Sequence, residues 1–286
     1  MHTTGTFKFT YDGERVLPEQ TPAELGMEDG DQIDAHLGQS NILYSARTMS
    51  LTSAPYDVNF CFPVKDLESE RVKLTPFVPS KHAEALYALP QPTYDYLPYG
   101  PFATSADFVT SLIEGRIDPD RGSCLFAVFD KTKAPERGQA DGALAGVIGY
   151  WNGTAGNLAV EIAWVLISPR FQRTHVTSHA IGLLLRYALE LPESGGLGLR
   201  RVVWAASPLN VASVAAAERM GFQKEGVLRW VYVMPAHKRV GNGRERREGD
   251  PKKELLGRDA VVLGLCWDDW VDGGRERVAG VMARRG

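Results

Sequence analysis

Between residues 70 and 270 the period of hydrophobic and polar positions changes repeatedly along the chain. Val72-Lys73-Leu74-Thr75-Pro76-Phe77 alternates as a half-buried strand does. Residues 79–89 follow with helical spacing, and Ser80 stands at the start as a cap. A Tyr/Pro-rich loop covers 94–102, and a second helix is predicted through 107–113. Strands are predicted over 124–129, 143–151 and 159–167, the first two joined by a charged hairpin loop at 131–141. In the helix over 178–190, Ala180, Leu183, Leu184, Tyr187 and Ala188 recur on one face. A strand at 200–205, a helix at 210–220 ended by Gly221, and strands at 226–234 and 260–267 complete the series. Residues 237–258, rich in Arg, Lys, Glu and Gly, read as a mobile loop inserted before the last strand. This order predicts an α+β protein built on one mixed sheet.

Composition narrows the classes of function. The chain has 286 residues, enough for one or two domains, and an ordinary hydrophobic share of 44%. A net charge of −3 gives no global case for nucleic acid or an anionic membrane as partner. The three cysteines, Cys61, Cys124 and Cys266, are far apart and form no Cys-x-x-Cys pair, so neither a disulfide frame nor a metal site is expected. No apolar run approaches the ~20 residues that span a bilayer, and the first residues lack an apolar signal core. A cytoplasmic or nuclear protein, monomer or homodimer, is the expectation.

Residues 1–39 stand apart. Phe7-Lys8-Phe9-Thr10-Tyr11 alternates, Asp12-Gly13 marks a turn, residues 21–26 predict one N-capped helical turn, and residues 32–36 predict a last strand. With Phe7, Phe9, Tyr11-Asp12-Gly13, Arg15, Thr21-Pro22, the run 25–29, Asp31, Ile33 and Asp34-Ala35-His36, this stretch resembles the C-terminal half of a SUMO-like ubiquitin fold. Read this way it is an incomplete β-grasp-like segment, since the first hairpin and long helix of such a fold are not before it. Residues 40–69 are expected to be a linker, and residues 273–286 a basic tail.

The centre of the remaining chain is residues 161–190. An apolar, β-branched strand stopped by Pro169 leads through a short polar turn, 170–177, into a helix. Free backbone N–H groups at a helix N-terminus form an anion site, suited to a cofactor's pyrophosphate. Along the strand, simple alternation places Glu161, Ala163 and Val165 on one face and Ile162, Trp164 and Leu166 on the other.

Several pieces in order resemble the GNAT acetyltransferase family, within it the branch acting on α-amines of ribosomal proteins and its fungal relatives. They are Val72-Lys73-Leu74; residues 96–102; Gly146-Val147-Ile148-Gly149-Tyr150; Glu161-Ile162; Gln172-Arg173-Thr174; Asn210-Val211-Ala212-Ser213; and 217–222 with Glu225-Gly226. The resemblance covers about 70–272 and implies a GNAT fold, whose two central parallel strands splay after Ile162 and Ala205. It implies acetyl-CoA as co-substrate and direct attack by an amine in a ternary complex. Its pyrophosphate turn corresponds to Gln172-Arg173-Thr174-His175-Val176-Thr177, where His175 and Thr177 stand at the family's small-residue positions. His175 itself reads as a helix-start surface residue. Leu166 and Ile167 are implied to pair with pantetheine, and Asn210 to hold its arm.

Glu161 is the candidate general base, because the attacking amine must be neutral and a carboxylate among apolar neighbours has a raised pKa. Ser213 is the candidate to serve the thiolate leaving group, since the family's tyrosine position is Ala217 here. Tyr232 and water are the alternatives. Tyr96 and Tyr99 are candidate acceptor contacts, with Tyr94 either beside them or packed beneath the loop. Gly257-Arg258-Asp259 resembles a family element at the acceptor mouth, displaced by the long insertion. The acceptor is expected to be a protein N-terminal α-amine or a small amine. The competing expectation is a catalytically inactive CoA-binding or SUMO-like interaction protein.

Overall fold

The computed structural model describes residues 7–11, 14–16 and 34–37 as strands only, and residues 58–87, 89–135 and 141–284. The predicted turns at 12–13 and 21–26, most of the linker and the centre of the 131–141 loop lie outside the described residues. The chain divides into two units, Met1–Ala54 and Pro55–Gly286.

In the first unit β1 (Phe7–Tyr11), β2 (Glu14–Val16) and β3 (Asp34–Leu37) form an antiparallel sheet in the order β2-β1-β3. Tyr11 pairs with Glu14, and Phe7 with Leu37.

The second unit is built on an eight-stranded mixed sheet, in the order β10-β11-β9-β8-β7-β6-β5-β4. Its strands are β4 (Leu67–Glu68), β5 (Val72–Pro76), β6 (Cys124–Asp130), β7 (Ala143–Thr154), β8 (Ala159–Ile167), β9 (Arg201–Ala206), β10 (Gln223–Val233) and β11 (Gly257–Cys266). Only β8 and β9 run parallel; every other neighbouring pair is antiparallel. Its main helices are α1 (Pro79–Leu86), α2 (Ser105–Phe108) with a π-helical continuation (Val109–Ile117), α3 (His175–Leu189) and α4 (Val211–Arg219). The short α5 (Trp267–Asp269) and α6 (Arg275–Met282) follow β11. No described helix is long and apolar enough to cross a membrane.

Alternation along the strands divides the core in two. On β6, Cys124, Phe126 and Val128 point to the face covered by α3 and α6, and Leu125, Ala127 and Phe129 to the face of α1 and α2. Residues 58–69 were expected as linker, yet Val58, Phe60, Phe62 and Val64 pack on the first core and β4 pairs with β5. The expected basic tail carries α6, whose Val278, Val281 and Met282 are buried against α3. Their i, i+3, i+4 spacing is the amphipathic signal, partly obscured by the surrounding Arg and Glu residues. At the start of α1, Val78 is the cap and His82 Nδ1 accepts its N–H at 3.0 Å, so Ser80 is not the cap.

Simple alternation fails within β8. Trp164 has φ +58°, and four residues of β8 (Ala163 to Leu166) stand opposite three of β7 (Gly149 to Val147). This bulge inserts one residue and reverses the faces beyond it. Ile162 lies in the α3-side core, but Trp164 and Leu166 lie in the other, with Ala163 beside them. Gly149 permits the close approach of β6: a Cβ there would stand 2.0 Å from the Cys124 carbonyl oxygen.

Candidate active site

Pairing between β8 and β9 runs from Ala159–Arg201 to Ile162–Trp204 and then stops. β8 continues to Ile167 and β9 to Ala206, held by their outer neighbours β7 and β11. The strands therefore splay after Ile162 on one side and after Trp204, one residue earlier than expected, on the other. Two clefts meet in the gap and share Tyr96, Val165, Trp204, Asn210 and Ser213. The larger, about 570 Å³, runs to the start of α3; the smaller, about 180 Å³, runs to Glu161.

The turn before α3 shapes the larger cleft. Gln172 Nε2 donates to the Ile167 carbonyl at 2.9 Å, tying the turn to the end of β8. Arg173 adopts φ +60°, and Thr174 caps the helix by accepting the Val176 N–H. The backbone N–H groups of Arg173 and Thr174 make no hydrogen bond among the described residues. Gln172, Arg173, Thr174 and Thr177 line the cleft, as do Ile167 and Asn210. Such a cradle of amides at a helix N-terminus suits a pyrophosphate.

His175 and Val176 do not line it. Val176 is fully buried in the core. His175 is not a surface side chain: its Nε2 meets Asp130 Oδ1 at 3.1 Å, and its ring packs edge-on against His179. It therefore turns away from the cleft, and its bulk does not fill the phosphate position. Leu166 is likewise a core side chain and lines neither cleft.

Glu161 is 8% exposed and lines the smaller cleft. Burial pushes its carboxyl up to about 7, against the hydrogen bond from Asn152 Nδ2 to Oε2 at 3.1 Å and the charge of Arg258. Asn152 can reach it because the end of β7 bends at Asn152, with φ +51°. A carboxylate titrating near neutrality is suited to general-base work.

Asn210 caps α4 with its side-chain oxygen on the Ser213 N–H at 3.2 Å. The Ser213 hydroxyl oxygen accepts Trp204 Nε1–H at 3.1 Å, which leaves its own hydrogen free to donate within the shared part of the clefts. Tyr99 lines the smaller cleft and packs on Trp164 at 5.5 Å, and Tyr96 lines both. Tyr94 is fully buried beneath the loop and reaches neither cleft.

The 237–258 segment is tied down at its two ends. Lys238 Nζ donates to the carbonyls of Tyr94 and Tyr99, each at 2.7 Å, and His237 Nε2 lies 2.9 Å from the Gly100 carbonyl. Burial pulls the Lys238 ammonium down to about 8. Arg258 Nε donates to the Tyr96 carbonyl at 2.9 Å. Sequence reasoning missed Trp151, Trp204, Arg116 and Arg258 as lining residues. The one available signal was the Gly257-Arg258-Asp259 element, which read as displaced but opens β11 beside Glu161.

Outside the clefts, Cys266, Asp268 and Asp269 bring possible metal donors within 4.8 Å of one another. Asp269 already accepts from Cys266 N and Gln223 Nε2 there.

The parallel pair thus opens into a gap with a cradle of amides at one end and a buried carboxylate at the other. Residues 71–223 match the model of the Acetyltransferase (GNAT) domain, and the chain belongs to that family. Among solved structures, a probable GNAT acetyltransferase from Chromobacterium violaceum is 27% identical, with a TM-score of 0.58, covering 79% of this chain and 98% of that one. A GCN5-related N-acetyltransferase from Brucella melitensis shares the fold at 24% identity, with a TM-score of 0.59, covering 76% of this chain and 85% of that one. Residues 2–37 match the ubiquitin-2 like Rad60 SUMO-like model. A ubiquitin-like protein of Schizosaccharomyces pombe, pmt3/smt3, is 65% identical over 34 residues, 12% of this chain and 29% of that protein. The small ubiquitin-related modifier 2 of Arabidopsis thaliana is 62% identical over 32 residues, 31% of its length. The chain thus spans about a third of these modifiers.

Proposed function

We propose that the chain transfers an acetyl group from acetyl-CoA to a primary amine by direct attack in a ternary complex. The observation that carries this reading is the placement of Glu161: a buried carboxylate titrating near 7 borders the same gap that the amide cradle of Arg173 and Thr174 opens into.

The residues present fit the co-substrate. The larger cleft offers unpartnered amides and the Arg173 side chain for a pyrophosphate. Residues 163–167, left unpaired on the β9 side, offer strand backbone to pantetheine amides. When bound, acetyl-CoA supplies the activated thioester carbonyl. Glu161 takes the proton of the acceptor ammonium, directly or through water, and so presents a neutral amine. A backbone N–H of the unpaired stretch polarises the carbonyl. Ser213 would hydrogen-bond the departing thiolate through its free hydroxyl hydrogen, and the proton that the nitrogen loses on forming the amide would pass to the thiolate or to water. No covalent enzyme intermediate is needed, because positioning and deprotonation suffice. The acceptor is a protein N-terminal α-amine or a small amine.

Isothermal titration with acetyl-CoA is expected to show one saturable site in the micromolar range, and thiol release is expected to follow addition of an amine acceptor. No binding would overturn the reading; binding without thiol release on any amine or peptide would leave a CoA-binding protein without transfer activity.

A further inference from the structure

The smaller cleft holds a charge that the transfer reaction does not use. Arg258 opens β11 with its side chain in that cleft, and the residue is only 7% exposed. Its Nε is satisfied by the Tyr96 carbonyl, which fixes the plane of the guanidinium. The two Nη groups have no hydrogen-bond or ion-pair partner among the described residues. They are also not among the sealed polar atoms that lack a partner, so they open to the cleft.

Burying a guanidinium with no ion pair is costly, because the hydration it loses is only partly returned by the more distant charge of Glu161. Arginine cannot escape that cost by losing its proton. The Tyr232 ring lies under the group at 5.1 Å and compensates only part of it. Glu161 shares the cleft but makes no ion pair with Arg258, its carboxylate being bonded by Asn152 instead. A second cation, Arg116, stands at the rim over the Tyr99 ring at 5.8 Å. One wall of the cleft is therefore cationic, the opposite feature is a base, and aromatic faces of Trp151, Trp164 and Tyr99 lie between.

We propose that the acceptor is an amine that also bears a carboxylate, gripped by the open Nη fork of Arg258 while the amine faces Glu161. This rests on the smaller cleft being the acceptor site. The planar fork matches a carboxylate through two parallel hydrogen bonds, a match that an ammonium cannot make. An acceptor lacking the anion leaves the guanidinium desolvated and unpaired, which is how such a site rejects it. The carboxylate can come from a free amino acid or from an acidic first side chain of a peptide.

The test measures thiol release with four acceptors: an amino acid, its carboxamide, a peptide amide starting with Asp, and its Asn counterpart. One member of a carboxylate pair is expected to exceed its neutral partner about 10- to 100-fold in kcat/KM, the scale of a hydrogen-bonded charge pair. Which pair separates identifies the source. R258Q is expected to abolish that preference by raising KM for the carboxylated acceptor alone. R258K keeps the charge but loses the fork, and is expected to fall between. Should R258Q lower the melting temperature, R116Q at the exposed rim replaces it, with a smaller loss of preference expected. Equal rates within both pairs overturn the proposal while leaving acetyl transfer intact. If no acceptor is turned over, acceptor binding is followed by the fluorescence of Trp151 and Trp164. Carboxylate-selective quenching lost in R258Q then upholds the anion site, and unselective quenching or none overturns it.

Discussion

Glu161 shows how much one position depends on its surroundings. The side chain is an ordinary carboxylate, and burial on β8 moves its pKa from 4.5 to about 7. As a base it acts in its deprotonated form, so kcat/KM is expected to rise with pH through about 7. Glu161→Gln is expected to remove that inflection and to lower kcat about 100-fold or more, the lower end of general-base effects. A pH–rate profile of both proteins checks this; unchanged activity at neutral pH would remove Glu161 from the mechanism. The pattern of the chain made Glu161 a candidate, since a lone carboxylate in an apolar strand is conspicuous. Arg258 was hidden, because in a segment of many charges nothing marks the one that becomes buried.

Whole elements depart from expectation where polar residues disguise an apolar face. The last helix is the clearest case. Residues 275–282 include two arginines and a glutamate, and read as a basic tail. Folded, they place Val278, Val281 and Met282 on α3, where Met282 Sδ comes so close that a Cβ on Gly182 would clash with it. Arg275 also binds Glu190 at the end of α3, Nε to Oε1 at 2.7 Å. Burial of three such side chains is worth about 3 kcal/mol or more. A chain ending at residue 272 is therefore expected to melt several degrees lower in a thermal scan. An unchanged transition would show that α6 adds no stability. The bulge at Trp164 is a second such case. Strict alternation cannot anticipate an inserted residue, because the stimulus for it is the register demanded by β7.

At the scale of the molecule, two buried groups oppose each other in acid. His82, in α1, has its pKa pulled down to about 4 by burial. The unfolded chain, titrating near 6.5, holds more protons between those values. His82 therefore contributes stability fully above about 6.5, and that contribution is lost as pH falls towards 4. Glu161 has the reverse sign. Its folded pKa near 7 exceeds the unfolded 4.5, so the folded state holds more protons, and stability falls as pH rises between those values. The two slopes overlap between about 4.5 and 6.5 and largely cancel. Glu161→Gln is expected to expose the His82 slope, giving a protein that gains stability with pH across that window. His82→Gln is expected to expose the opposite slope. Denaturant titrations at several pH values check both; parallel curves for wild type and the two variants would show that neither group titrates as placed.

The sequence by itself determined the order of elements from 70 on, the SUMO-like resemblance near the start and the GNAT resemblance after it. All of these rest on local periodicity, turn residues and motifs of short range. Through the GNAT resemblance it also made Glu161, Gln172 to Thr174, Asn210 and Ser213 candidates for one site. Tertiary structure alone decided which side chains face the gap. The bulge at Trp164 turned β8 over, Asp130 drew His175 away from the turn, and β11 brought Arg258 to Glu161 across the intervening β9. Each of these depends on contacts between residues distant along the chain, and on burial, which no local pattern encodes.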